Sequence, residues 1–226
     1  MLRSVHAART LRANVDQSNQ EQWCIQVHPS ARFWPAQGTT FYFYAMPHIV
    51  IVPGTNRAGS NSLHLARQVQ SDYDALGCST DLLELHLEAD FLAPTAYQHH
   101  TAAITSRVDR FLKSDGVVFV IPEYNGSYPG VLKLFVDMLP DKTSFNQRPC
   151  AFIGIAAGNF QALRAVEHFQ GVAGYRNAHM FFNRVFVGGV HKVIGPDQKL
   201  NDVALVERLQ AQAKGFLAFV SALKAR

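Results

Sequence analysis

The chain has 226 residues, 48% of them apolar, enough for one packed domain of roughly 150–200 residues plus an extension. The 21 Lys and Arg exceed the 17 Asp and Glu by only four, and no basic run is present, which speaks against nucleic acid as a partner. No apolar stretch approaches the ~20 residues of a membrane-spanning helix. Cys24, Cys78 and Cys150 lack the spacing of a disulfide framework or a zinc site, which favours a reducing, cytoplasmic compartment.

Residues 1–45 stand apart. They hold both tryptophans, Trp23 and Trp34, and sustain no apolar period. Arg3, Arg9 and Arg12 occur in the first fourteen residues with no acid among them, as in a transit peptide. The expectation is an extension outside the fold, with a targeting segment or an interaction arm as the alternatives.

From Met46 strands and helices alternate, the signature of a parallel sheet covered on both faces. The pattern predicts strand one over His48–Pro53 and a helix from about Asn61 to Leu76, closed by Gly77. Strand two is expected over Thr80–Leu85 and helix two over Thr101–Ser114, with Ile104, Val108, Phe111 and Leu112 on one face. Strand three is Gly116–Ile121, and helix three runs from Gly130 to about Leu139. Strand four is Cys150–Ile155 and helix four Gln161–Phe169. Strand five lies within Ala178–Val187, and the last helix spans Asp202–Ala225. All-apolar central strands with helical crossovers define an α/β chain: a three-layer, doubly wound, parallel five-stranded sheet. In the order 2-1-3-4-5, strands one and three are neighbours and their loops flank the switch point where ligands bind.

Two loops carry the chemistry. Gly54-Thr55-Asn56-Arg57-Ala58-Gly59-Ser60-Asn61-Ser62 follows strand one. Its glycines permit a close backbone approach, Thr55, Ser60, Asn61 and Ser62 supply donors, and Arg57 supplies a planar cation. It contains no Asp or Glu, and the amides opening helix one point toward the same place, as an anion site requires. It matches neither the nucleotide P-loop nor the dinucleotide fingerprint. The second loop, Pro122-Glu123-Tyr124-Asn125-Gly126-Ser127-Tyr128-Pro129-Gly130, follows strand three. Tyr124 and Tyr128 offer flat faces, Asn125 offers polar edges, and Gly126 lets the backbone come close. Gly158 and Asn159, after strand four, are placed to cover a ring from a third side. Each loop also has an ordinary reading as a turn or helix cap.

Taken together, Gly54, Thr55, Arg57 and Ser60 with Pro122, Glu123, Tyr124, Asn125, Pro129, Gly130, Leu132, Lys133 and Asp137 resemble the NADPH-dependent FMN reductase family, within the flavodoxin-like fold. The resemblance covers about Met46 to Leu223. Thr55 stands where members have Ser, Leu134 where many have Asn, and the third loop has one Gly where many have several. The resemblance implies a flavodoxin-like FMN-binding domain over 46–226, with FMN phosphate on the first loop and its ring against the second. It implies NADPH or NADH as reductant, a quinone, azo, metal-oxyanion or flavin molecule as acceptor, and a homodimer or homotetramer.

The cofactor carries the hydride chemistry, so no protein catalytic group is expected. Glu123 and Asp137 lie on different elements and form no acid/base pair, while Lys133 and Asp137, four apart, are expected to pair with each other. His99-His100 lacks the further ligands a metal needs; His179 and His191 read as ordinary surface or satisfied residues, and Phe181, Phe182 and Phe186 as core. The alternative function is an FMN electron carrier or a redox sensor without reductase activity. Carriers are strongly acidic, whereas residues 46–226 hold 17 basic and 15 acidic groups.

Overall fold

The computed structural model describes residues 46–86 and 89–224. The expectations for residues 1–45 lie outside the described residues. From Met46 the order is β1 (His48–Pro53), α1 (Asn61–Ala75), β2 (Ser79–Leu82), two 3-10 turns (Ala89–Leu92 and Pro94–Tyr97), α2 (Ala102–Leu112), β3 (Gly116–Pro122), α3 (Gly130–Met138), β4 (Pro149–Ile155), α4 (Leu163–Tyr175), β5 (His179–Met180), β6 (Val185–Val187), α5 (Val190–Val193) and α6 (Val203–Lys224).

All pairings are parallel, in the order β2-β1-β3-β4-β5. Every residue of β3 and β4 is buried, because helices cover both faces of the central strands. Successive side chains on β3 point to opposite faces. Val117, Phe119 and Ile121 enter a core with Ile104, Phe111, Phe135 and Phe169 from α2, α3 and α4. Val118 and Val120 enter the other, with Leu65, Val69, Phe216 and Val220 from α1 and α6. Phe119 is the hub of the first core, its ring centroid 4.8 Å from Phe169 and 6.0 Å from both Phe145 and Phe152.

Local signals explain the boundaries. Ser60 caps α1 by accepting the Leu63 amide, and Gly77, at φ 82°, ends it in the left-handed region. Thr101 caps α2 in the same way through Ile104.

The predicted fifth strand is divided. β5 pairs with Pro149 and Cys150, and β6 pairs with Ile153, Gly154 and Ile155. Between them, Gln212 of α6 donates from Nε2 to the carbonyls of Phe152 and Asn183, at 3.1 and 2.7 Å. Phe181 is buried, Phe186 is half-buried, and Phe182, expected in the core, is 85% exposed because it falls in the interruption. α4 runs six residues past its expected end at Phe169, since burial of Ala173 outweighs the glycines at 171 and 174. No helix among the described residues is long and apolar enough to cross a membrane.

Candidate active site

The strand C-termini open onto a cleft of about 510 Å³, lined by Arg57, Asn61 and Ser62, by Pro122 to Asn125, by Ile155 to Ala157, and by Val190 and His191. Its position follows from the sheet order: β1 and β3 are neighbours whose chains leave in opposite directions, one into α1 and one into α3.

The first loop is bound to the second. The Gly54 amide donates to the Val120 carbonyl at 2.8 Å, and a Cβ on Gly54 would lie 3.3 Å from that oxygen and 3.2 Å from Leu132 Cδ2. A side chain there would wedge the two loops apart. The Thr55 and Tyr124 hydroxyls are hydrogen-bonded at 2.9 Å, and the Arg57 amide donates to Thr55 Oγ1. Thr55 is buried, so its hydroxyl joins the loops. Ser60 is also buried, capping α1 and bonding Ser62 Oγ at 3.1 Å.

Arg57 is exposed, its guanidinium 5.8 Å from the centre of the Tyr124 ring, and no acid pairs with it among the described residues. The amides of Asn61 and Ser62, in the first turn of α1, have no acceptor inside the helix. A free guanidinium, two free amides and the positive end of a fifteen-residue helix converge on a loop without carboxylates. This donor set suits a phosphate.

The second loop is a two-residue hairpin. Tyr124 and Ser127 exchange backbone hydrogen bonds of 2.8 and 3.0 Å around Asn125 and Gly126, both left-handed at φ 52° and 78°. That is the turn Asn-Gly favours. Asn125 is thereby presented to the cleft and Gly126 is not. Glu123 is half-buried, its amide donating to Ile155 O at 3.3 Å. Ser127 Oγ bonds His168 Nδ1 of α4 at 3.0 Å. Tyr128 turns away, its ring packed edge-on against Phe169 at 5.3 Å. Pro122, Ile155, Ala156 and Val190 give the cleft an apolar wall.

Gly158 and Asn159 lie in an exposed turn after β4, and Ala156 and Ala157 line the cleft in their place. Lys133 and Asp137 pair at 2.6 Å on α3. Val190 and His191 were not expected here. The Gly188-Gly189 turn, with Gly189 at φ 58°, swings α5 up to the cleft, and the Val190 amide donates to Ala156 O. A Gly-Gly pair closing a strand was the available signal. Among the described residues no three His, Cys, Asp or Glu side chains are grouped to hold a metal.

A loop suited to an anion and a hairpin meet at the switch point of a 2-1-3-4-5 parallel sheet, the arrangement of a flavodoxin-like fold. The sequence profile of the NADPH-dependent FMN reductase family matches residues 47–192, and the chain belongs to that family. It is an NAD(P)H-dependent oxidoreductase whose cofactor is FMN. Over 124 residues it is 28% identical to an NAD(P)H-dependent FMN reductase of Pseudomonas aeruginosa, covering 52% of this chain and 67% of that one. It is likewise 28% identical over 128 residues to a quinone reductase of Escherichia coli K12, covering 54% and 68%. Among solved structures, the flavoenzyme NAD(P)H:acceptor oxidoreductase FerB of Paracoccus denitrificans aligns with a TM-score of 0.68 and 21% identity, over 78% of this chain and 98% of that one. A flavodoxin of Streptococcus pneumoniae aligns at 0.52 and 18%, over 77% and 99%. At these identities the two structures bear on the fold alone.

The residues present fit FMN. The free donors match its phosphate, the apolar wall matches a flat ring, and Glu123 is the single acid among the described lining residues.

Proposed function

We propose that this chain passes electrons from NADPH or NADH, through FMN held in the cleft, to a small-molecule acceptor of the quinone, azo, metal-oxyanion or free-flavin class. The observation that carries the reading is the unpaired Arg57 beside the free first-turn amides of α1, hydrogen-bonded through Thr55 to the hairpin that faces them. The name of the quinone reductase to which it is similar supports the quinone class, and that of the FMN reductase the flavin class.

In this reading Gly54, Thr55, Arg57, Ser60, Asn61 and Ser62 make the phosphate half of the site. Arg57 and the Asn61 and Ser62 amides contact the phosphate, and Thr55 and Ser60 hold the loop's shape. Pro122, Glu123, Tyr124, Asn125 and Gly126 make the ring half, with Tyr128 anchoring it to α4 and Gly158 and Asn159 at its margin. Bound there, FMN would supply the hydride- and electron-transfer chemistry between nicotinamide and acceptor. The chain's part is to bind, to orient and to keep one side open to solvent. Residues 46–226 form the flavin domain, and residues 1–45 precede it as an extension. The assembly is a homodimer or homotetramer in the cytoplasm.

The test is reconstitution with FMN, followed by NADPH and NADH oxidation against quinone, azo, chromate and free-flavin acceptors. Stoichiometric FMN uptake and acceptor-dependent oxidation are expected. Absence of FMN binding rejects the reading. FMN binding without nicotinamide oxidation turns it into an electron carrier.

A further inference from the structure

A second guanidinium stands beside the cleft without a bonded partner among the described residues. Arg164, in the first turn of α4, lies 5.9 Å from the centre of the Phe160 ring, and its Nη1 lies 3.5 Å from where a Cβ on Gly126 would be. Phe160 is 73% exposed. The two residues fall between two cleft-lining elements: the hairpin, through Asn125, and the β4 loop, through Ala156 and Ala157.

A cation in a helix's first turn opposes the macrodipole, so helix stability does not account for Arg164. The backbone nevertheless goes to expense to place it. Gln161 and Ala162 are both left-handed, at φ 55° and 64°. Such residues persist only where the surroundings fix them. Here Gly154 and Gly188 make the room: a Cβ on Gly154 would lie 2.8 Å from the Gln161 carbonyl oxygen, and one on Gly188 2.5 Å from Gln161 Cγ.

The Arg57 loop accounts for the one phosphate of FMN. A nicotinamide dinucleotide brings more phosphates and an adenine. We infer that Phe160 and Arg164 form the outer subsite for the reductant, which rests on the FMN reading above. Phe160 gives the adenine a face to stack on, and Arg164 gives a dinucleotide phosphate a two-pronged partner.

The experiment titrates FMN-loaded protein with 5′-ADP and with 2′,5′-ADP, and separately measures the FMN Kd, for wild type, Arg164→Gln, Arg164→Lys and Phe160→Leu. Arg164→Gln is expected to raise the nucleotide Kd roughly tenfold, the worth of a charge-assisted hydrogen bond, with the FMN Kd unmoved. Arg164→Lys falls between, and Phe160→Leu weakens both probes a few-fold. A loss confined to 2′,5′-ADP assigns Arg164 to the phosphate that distinguishes NADPH from NADH, whereas an equal loss assigns it to the 5′-phosphate both carry. Unchanged Kd for both probes in Arg164→Gln, or in Phe160→Leu should Arg164→Gln not fold, overturns the subsite while leaving FMN binding intact. A wild type that holds no FMN overturns the flavin reading and the subsite with it.

Discussion

Arginines at opposite ends of this sheet make the same ring contact and differ in everything else. At the carboxyl end, Arg57 lies 5.8 Å from Tyr124 and Arg164 5.9 Å from Phe160. At the amino end, Arg148 lies 5.5 Å from Phe111 and Arg176 5.5 Å from Phe145. The amino-end pair is bound to backbone. Arg148 donates to the carbonyls of Ser144, Ser114 and Leu112 and to the Ser114 hydroxyl. Arg176 donates to the carbonyls of Val136, Leu139 and Pro140, which end α3. Burial pulls the Arg148 pKa down, and its bonds to carbonyls are what make a half-buried cation tolerable there. Among the described residues, the carboxyl-end pair has its guanidinium donors free. An arginine over a ring is therefore no indication of function by itself; what separates scaffold from site is whether its N–H groups already have acceptors.

The comparison can be broken by experiment. The largest effect is expected for Arg148→Met, which keeps bulk near Phe111 and strands several carbonyls. Urea unfolding should show a loss of about 3 kcal/mol or more, with the FMN affinity of the folded fraction unchanged. Next is Arg57→Ala, which should weaken FMN by about 1.5–3 kcal/mol in a fluorescence titration while the melting temperature without FMN stays put. A drop in that melting temperature instead would place Arg57 with the scaffold arginines. Gly154→Ala strikes the frame of the carboxyl end, and overpacking against Phe186 Cδ1, 2.7 Å away, should cost about 1–3 kcal/mol.

The smallest effect concerns Asp115 at the amino end. Burial raises its pKa, but hydrogen bonds from the Lys224 ammonium, 2.7 Å away, and the His48 amide outweigh this, and the net pKa lies below 3.8. Its folded-state pKa is depressed, so its contribution is present above about pH 4 and is lost as pH falls through the folded value. Asp115→Asn should lower stability at pH 7 by about 1 kcal/mol or less, since the carboxylate is partly exposed. The two proteins should converge in thermal melts near pH 2. A gap that persists there would remove the ion pair as its cause.

The central strands were legible because β3 and β4 are unbroken apolar runs of strand length, each followed by turn residues and a helical period; the strand order came with the flavodoxin-like resemblance. At Asn125-Gly126 the sequence offered an ordinary turn, and the structure makes it a two-residue hairpin with both residues left-handed. Less accessible were features set by distant partners. Nothing local tells that the Thr55 hydroxyl meets Tyr124, 69 residues away. His191 reaches the cleft only because the split of β5 from β6 and the Gly188-Gly189 turn redirect the chain. Phe182 carries the same apolar signal as Phe181, and only the interruption that Gln212 bridges sends it outward. Tyr128, read as a flat surface for a ligand, instead serves Phe169.

That bridge has a bearing on how the molecule behaves in a crowd of its own kind. A long, flat strand at the border of a sheet is a template on which another chain can add, and left exposed it is an aggregation risk. Here one border offers two residues, then a gap, then three, and the other offers four. The gap is closed from within by the Gln212 side chain, which takes up carbonyls of Phe152 and Asn183. Among the described residues, a visiting strand would find no continuous row of backbone partners along that border.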